Sequence, residues 1–307
     1  ARLIRSRLGG VVLRRERLTL PDGDFLDLDW ASCVEGREIG QESALVMVVH
    51  GLEGSAQSGY SKELYRSLGR RGIPTVGMNF RSCSGEINRL PRLYHSGETG
   101  DLAFVLGKLK ERFPGRALGV VGVSLGGNVL LKYLGEGGEQ AREDVTAAAA
   151  ISVPFDLSAG ADYMERGFSR VYRWSLVGRL KRKVRAKAST LSELIDVERT
   201  LESRTFREFD DSSTAPLHGF HGADDYYKRS SSSAYVDKIR VPTMLIHSFD
   251  DPFLPAGAVP QEAALGNPYI ECRFTEHGGH VGFVEGPPWA PVFWAEQTAA
   301  SFLAGRL

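Results

Sequence analysis

The chain holds 307 residues, 42% of them hydrophobic and 25% charged, the balance of a globular protein with a sizeable buried core. Lys plus Arg and Asp plus Glu both number 38, so there is none of the basic excess that nucleic-acid partners demand. Three scattered cysteines, Cys33, Cys83 and Cys272, exclude a disulfide framework or a cysteine-rich zinc site, and no apolar run approaches the ~18 residues that span a bilayer.

Leu18 to Ala31 places apolar residues on both sides of Pro21-Asp22-Gly23-Asp24, which predicts a β-hairpin. Ala44 to Val49 is a continuous apolar run of the kind buried on both faces of a parallel sheet. The same grammar recurs at Pro74 to Phe80, Leu118 to Val123, Ala147 to Val153, Val241 to Ile246 and Tyr269 to Phe274. Helical spacing lies between them, at Ser61 to Arg70 and at Asp101 to Arg112. Strands alternating with helices predict an α/β fold with a mostly parallel central sheet flanked by helices. From 155 to 233 the strand pattern stops and helical patterning takes over, so a helical lid is expected there. The core is then split into a first part, 1–154, and a second part, 234–307.

Gly122-Val123-Ser124-Leu125-Gly126 matches G-x-S-x-G. The pattern alone is weak; its setting sharpens it, because a buried strand ends at Ser124 and an apolar helix pattern (Val129, Leu130, Leu131, Leu134) follows. That is the strand–turn–helix context of a nucleophile elbow, with Gly122 and Gly126 permitting close backbone approach. A serine hydroxyl needs a base, and the base needs an orienting acid, in the chain order Ser, acid, His. The acid is expected after the Val241 to Ile246 strand, where Asp250 and Asp251 compete. Asp251 is favoured because Pro255 lies four residues beyond it. His280 is the expected base, behind Gly278 and Gly279, with His277 as the alternative. The turn Val49-His50-Gly51-Leu52 is expected to aim a backbone amide at the substrate carbonyl. Leu52 and Leu125 are the expected oxyanion donors. His50, His95, His218, His221 and His247 read as structural. Neither His277/His280 nor His218/His221 has metal-ligand spacing, so no metal and no cofactor is expected.

Several segments resemble one family. HGLEGS (50–55), NFRSCSGE (79–86), YHSGETGDL (94–102), GVSLGGN (122–128), GFSRVY (167–172), HSFDDPF (247–253) and EHGGHVGF (276–283) are similar to the YheT-like branch of the α/β hydrolases. FDDSSTAPLHGF (209–220) and DYYKRSS (225–232) extend the likeness, which covers nearly the whole chain. The branch includes bacterial esterase-type proteins and eukaryotic lipid hydrolases of the embryogenesis-associated type. The resemblance implies Ser124 as nucleophile, Asp251 as acid and His280 as base. It also implies esterase, lipase or acyltransferase activity on short- to medium-chain acyl esters or glycerolipids. Thioester cleavage on the same triad is the neighbouring chemistry, and a hydrolase-fold binding module without turnover is the reading from another class.

Two basic stretches remain. Arg170, Arg173, Arg179, Lys181, Arg182, Lys183, Arg185 and Lys187 accompany Val171, Trp174, Val177, Leu180 and Val184, so a lid helix with one apolar face could meet a lipid surface; a solvated helix face is the plainer reading. Arg2, Arg5, Arg7, Arg14, Arg15 and Arg17 form a second cluster, read as a soluble or interfacial arm. Cys83 reads as an inert packing thiol, with redox sensitivity as the alternative. No signal-peptide core is visible, so a cytoplasmic placement is expected, with peripheral membrane contact through the basic helix. The chain opens on Ala1 rather than Met, so an N-terminal piece, either trimmed or left out of this sequence, is an open expectation.

Overall fold

The computed structural model describes residues 10–38, 44–287 and 289–307. Its first two strands, β1 (Val11–Thr19) and β2 (Phe25–Val34), form the expected hairpin, longer than the sequence pattern suggested. A two-residue strand, β3 (Arg37–Glu38), adds to β2. Six further strands of the same sheet follow: β4 (Ala44–Val49), β5 (Thr75–Asn79), β6 (Ala117–Val123), β7 (Ala147–Ile151), β8 (Thr243–Ser248) and β9 (Ile270–Thr275). They pair in the spatial order β1-β2-β5-β4-β6-β7-β8-β9. β4 to β9 run parallel, and β2 joins β5 antiparallel.

Alternate side chains of a strand leave on opposite faces, and β4 shows why its run is all apolar. Met47 and Val49 pack into one core with Val120, Leu102, Leu106, Val129 and Leu130. The last four come from α2 (Thr99–Arg112) and α3 (Leu125–Gly137). Val46 and Val48 pack on the other face against Leu64 and Leu68 of α1 (Gly59–Gly69) and against Ala299 and Leu303 of the last helix, Trp294–Ala304.

Between β7 and β8 the described chain is helical, without a strand. It includes α4 (Leu157–Tyr163), α5 (Ser169–Ala186) and α6 (Ala223–Ser230), with several shorter helical segments between α5 and α6. A π-helical turn, Asp210–Thr214, lies among these. The apolar face expected for α5 is not one stripe. Val177 and Val184 are buried, in two separate clusters, while Val171 and Trp174 are exposed. Most of its basic residues also point elsewhere than to solvent. Arg173 pairs with Glu165 at 2.6 Å, Lys183 with Glu53 at 2.6 Å, Lys181 donates to the Ser203 carbonyl at 2.7 Å, and buried Lys187 donates to Asn88 Oδ1 at 3.0 Å.

The N-terminal basic cluster is likewise partly committed. Arg15 binds Asp29 and Arg17 binds Asp27, each at 2.8 Å across the hairpin. Arg2, Arg5 and Arg7 lie outside the described residues.

Candidate active site

β6 ends at Val123 and α3 begins at Leu125, so Ser124 is the whole turn between strand and helix. It holds φ 54° and ψ −121°, a strained conformation for a residue with a Cβ. Its amide donates to the Ile151 carbonyl at 2.8 Å, fixing the turn to β7. The flanking glycines are steric requirements. A Cβ on Gly122 would lie 2.5 Å from the Gly126 carbonyl oxygen, and one on Gly126 would lie 2.4 Å from that of Val49.

Three distant stretches meet at this turn. His280 Nε2 lies 2.9 Å from Ser124 Oγ, and His280 Nδ1 lies 2.8 Å from Asp251 Oδ2 and 3.1 Å from Oδ1. Asp251 is buried and also accepts the Phe253 amide at 2.8 Å. With Nδ1 donating to the carboxylate, Nε2 presents its lone pair to the serine hydroxyl. Asp250 does something else: it accepts the Gly279 amide at 2.7 Å and so braces the histidine loop. His277 is exposed and sits 3.5 Å from Asp250.

Residues that the sequence reading passed over hold the imidazole. The Phe253 ring stacks on it, 3.8 Å between centroids and 4° from parallel. Ser152 Oγ accepts the Val281 amide at 3.1 Å, and Ser248 Oγ donates to the Gly279 carbonyl at 2.9 Å. Phe253 and Ser248 stand inside HSFDDPF, the one signal that pointed their way.

The loop after β4 approaches from the other side. Gly51, Glu53, Gly54 and Ser55 donate their amides to Tyr60 Oη, Tyr94 Oη, the Gly51 carbonyl and Ser58 Oγ. Leu52 and Leu125 donate theirs to no protein acceptor among the described residues, and both residues line the cavity beside Ser124. Buried His50 accepts the Phe80 amide on Nε2 at 3.1 Å. Its Nδ1 therefore carries the proton and donates to the Gly51 carbonyl at 2.7 Å, orienting this loop. Burial holds the imidazole at a pKa of about 4, so it stays neutral.

The cavity over Ser124 is small, about 90 Å³, against the ~300–1,000 Å³ of common ligand pockets. Leu157, Met164, Leu176, Phe206, Tyr226 and Phe253 make it largely apolar. Asp210 is the charged exception, bonded to Tyr227 Oη at 2.8 Å and Thr214 Oγ1 at 2.6 Å, and burial pushes its pKa up to about 6. Nearby, Cys83 lies 3.0 Å from Lys183 Nζ, and burial raises its thiol to about 11, which makes it a poor nucleophile.

Among the described residues, His95, Glu98 and His218 have metal-ligand atoms within 4.8 Å of one another, a grouping across distant positions that the spacing of histidines did not reveal. The donor set fits a metal badly. His95 Nδ1 accepts the Gly97 amide at 3.1 Å, which puts the imidazole proton on Nε2, and Arg92 already neutralises Glu98.

The profile of the alpha/beta hydrolase fold family matches residues 44–287. The chain belongs to the α/β-hydrolase family. YheT of Escherichia coli (strain K12) is 42% identical over 95% of this chain and 85% of that protein. The phospholipase ABHD3 of Mus musculus is 30% identical over 90% of this chain and 67% of that protein. The monoacylglycerol lipase of Saccharomyces cerevisiae is 33% identical over 78% of this chain and 54% of that protein. Among solved structures, the Pyrococcus furiosus esterase Pf2001 shares the fold at a TM-score of 0.62 and 18% identity, covering 96% of this chain and 92% of that one. The fold class read from the sequence and the likeness to YheT both stand, and the esterase or lipase expectation agrees with the names these relatives bear. No helix among the described residues is long and apolar enough to cross a membrane.

Proposed function

We propose that this α/β hydrolase cleaves short- to medium-chain carboxylic esters, glycerolipids included, through an acyl-enzyme on Ser124. The supporting observation is the continuous relay of 2.9 Å from Ser124 to His280 and 2.8 Å from His280 to Asp251. In the first step Ser124 Oγ bonds to the ester carbonyl carbon and its proton passes to His280 Nε2. The carbonyl oxygen takes the negative charge and is held by the Leu52 and Leu125 amides. Each such donor is worth roughly 3 kcal/mol of barrier. The carbon–oxygen bond to the alcohol then breaks, and His280 returns the proton to the leaving oxygen. Water, deprotonated by the same imidazole, releases the acid and restores the serine. Asp251 keeps the imidazole in the tautomer that can act as base.

The helical segment 155–233 serves as a lid in this reading, with the acyl chain in the cavity of Leu157, Leu176 and Phe206 beneath it. A lid that meets lipid would place the enzyme at a membrane periphery. A fluorophosphonate probe tests the proposal: it should label wild-type protein covalently at Ser124 and leave Ser124→Ala unlabelled. Absence of labelling in folded wild-type protein would defeat it.

A further inference from the structure

We propose that the outward face of α5 docks on an anionic lipid surface and passes an ester from that surface to Ser124 along a row of aromatic rings. This rests on the ester-hydrolase reading and names where its substrate comes from.

Helical spacing puts Val171, Trp174, Gly178, Arg182 and Arg185 within one arc of about 80° on α5, centred about 100° around the helix from buried Val177 and Val184. The N-terminal part of this face is apolar: Trp174 is 75% exposed and Val171 52%, and Phe168 at the helix start is 72% exposed. Large apolar side chains left this open are a docking signal when they cluster. The remainder of the face is cationic. Arg182 and Arg185 are exposed and form no ion pair among the described residues, and the same holds for Arg166 and Arg170 beside the apolar end. No acidic residue occurs between Glu165 and Glu193, so nothing on this stretch neutralises them. On a chain of zero net charge this is a local concentration of positive charge. An apolar wedge of Trp and Phe flanked by free arginines is the chemistry of a helix lying in a bilayer interface with acidic headgroups.

Continuity with the site argues for lipid over any other partner. Phe168 contacts Tyr172 at 5.7 Å between ring centroids, Tyr172 contacts Phe253 at 5.2 Å, and Phe253 stacks on His280 at 3.8 Å. The row therefore runs from the exposed end of α5 to the proposed base. Phe253 and Leu176 of α5 also line the cavity that holds Ser124. The inner basic residues anchor this geometry: Lys183 grips Glu53, next to Leu52, and Lys187 grips Asn88. The far end of α5 is thus tied to the core while its start lies open beside the site.

The test is flotation of the full chain with vesicles of phosphatidylcholine, with and without phosphatidylglycerol. Wild type should bind the phosphatidylglycerol vesicles at least about tenfold better, and the preference should fade in high salt. The double variant Val171→Ser/Trp174→Ser should lower vesicle binding about tenfold, and Arg182→Gln/Arg185→Gln should cut the headgroup preference severalfold. Both should keep wild-type hydrolysis of water-soluble p-nitrophenyl acetate, which shows that they fold. Wild-type protein that ignores both vesicle types, or variants that bind as wild type does, would overturn the proposal. So would a dimer in gel filtration that Val171→Ser/Trp174→Ser dissociates, since the face would then belong to a second copy. Failure of the ester-hydrolase reading is separate, because it shows as loss of probe labelling with vesicle binding intact.

Discussion

Two adjacent carboxylates near one imidazole allow a sharp comparison, Asp251→Asn against Asp250→Asn. Asp251 accepts two donors, the His280 ring at 2.8 Å and the Phe253 amide at 2.8 Å. In Asp251→Asn the carboxamide oxygen can keep the Phe253 amide, which turns its NH2 group toward His280 Nδ1. Two donors cannot face each other, so the imidazole moves its proton to Nε2 and meets Ser124 as a donor. The base is lost while the shape is kept. In serine hydrolases that change lowers kcat by about 10⁴, or ~5 kcal/mol. Asp250→Asn keeps an oxygen for the Gly279 amide, 2.7 Å away, and touches no reacting group, so its effect should stay within about threefold. Steady-state rates on p-nitrophenyl butyrate, with a urea melt of each variant, decide the matter. The reasoning fails if Asp251→Asn keeps activity within about tenfold of wild type, or if Asp250→Asn loses as much as its neighbour.

Gly126→Ala drives a Cβ to 2.4 Å from the Val49 carbonyl oxygen and 2.6 Å from that of His50, both rigid backbone. It should lose at least about 1–3 kcal/mol in urea denaturation, and probe labelling with it, whereas Gly107→Ala in α2, with open space around its Cβ, should gain up to ~1 kcal/mol. Asp210 has a folded pKa of about 6 against 3.8 for the free side chain, so its contribution to stability is full below ~4 and is lost as pH rises through about 6. The change amounts to ~3 kcal/mol at most, and urea midpoints from pH 4 to 8 should show it in wild type and not in Asp210→Asn. A wild-type-minus-variant difference that stays flat over that range would contradict the assignment.

The sheet was legible because strands buried on both faces must be apolar throughout. Ala44–Val49 and Ala147–Ile151 have no polar position to blur them. The elbow was legible because Gly122 and Gly126 are forced by contacts tighter than any Cβ allows. Asp250 and Asp251 could be ranked only by a proline downstream, since neighbouring residues differ in direction and spacing carries no direction. Ser152 and the Lys183–Glu53 tie were illegible because each acts on a partner remote in sequence, and Phe253 was marked only by its place in HSFDDPF. The error on α5 has a geometric cause. Val171, Trp174, Val177 and Leu180 are spaced by three, and each such step falls about 60° short of a full turn. Three steps carry the pattern about 180° around the helix, so Val171 and Leu180 cannot share a face.

Backbone strain gives a further reason to separate the chemistry from the helical segment. Of six non-glycine residues with positive φ among the described residues, five follow the carboxyl ends of parallel strands: Glu53, Ser82, Ser124, Ser152 and Val281. Each such conformation costs about 1–3 kcal/mol and persists only where neighbours over-determine it. The neighbours are visible. Tyr94 Oη takes the Glu53 amide, the Ile151 carbonyl takes the Ser124 amide, and Ser152 Oγ takes that of Val281. Every one of these contacts lies within the sheet and its loops, and none involves a residue of the helical segment 155–233. Ser124, His280 and Asp251 are therefore positioned by the rigid part of the molecule. The segment contributes most of the apolar wall of the cavity, through Leu157, Met164, Leu176 and Phe206. Substitutions in that wall should change which acyl chains are accepted and leave the reactivity of Ser124 toward a small probe untouched, because the two properties are held by different contacts.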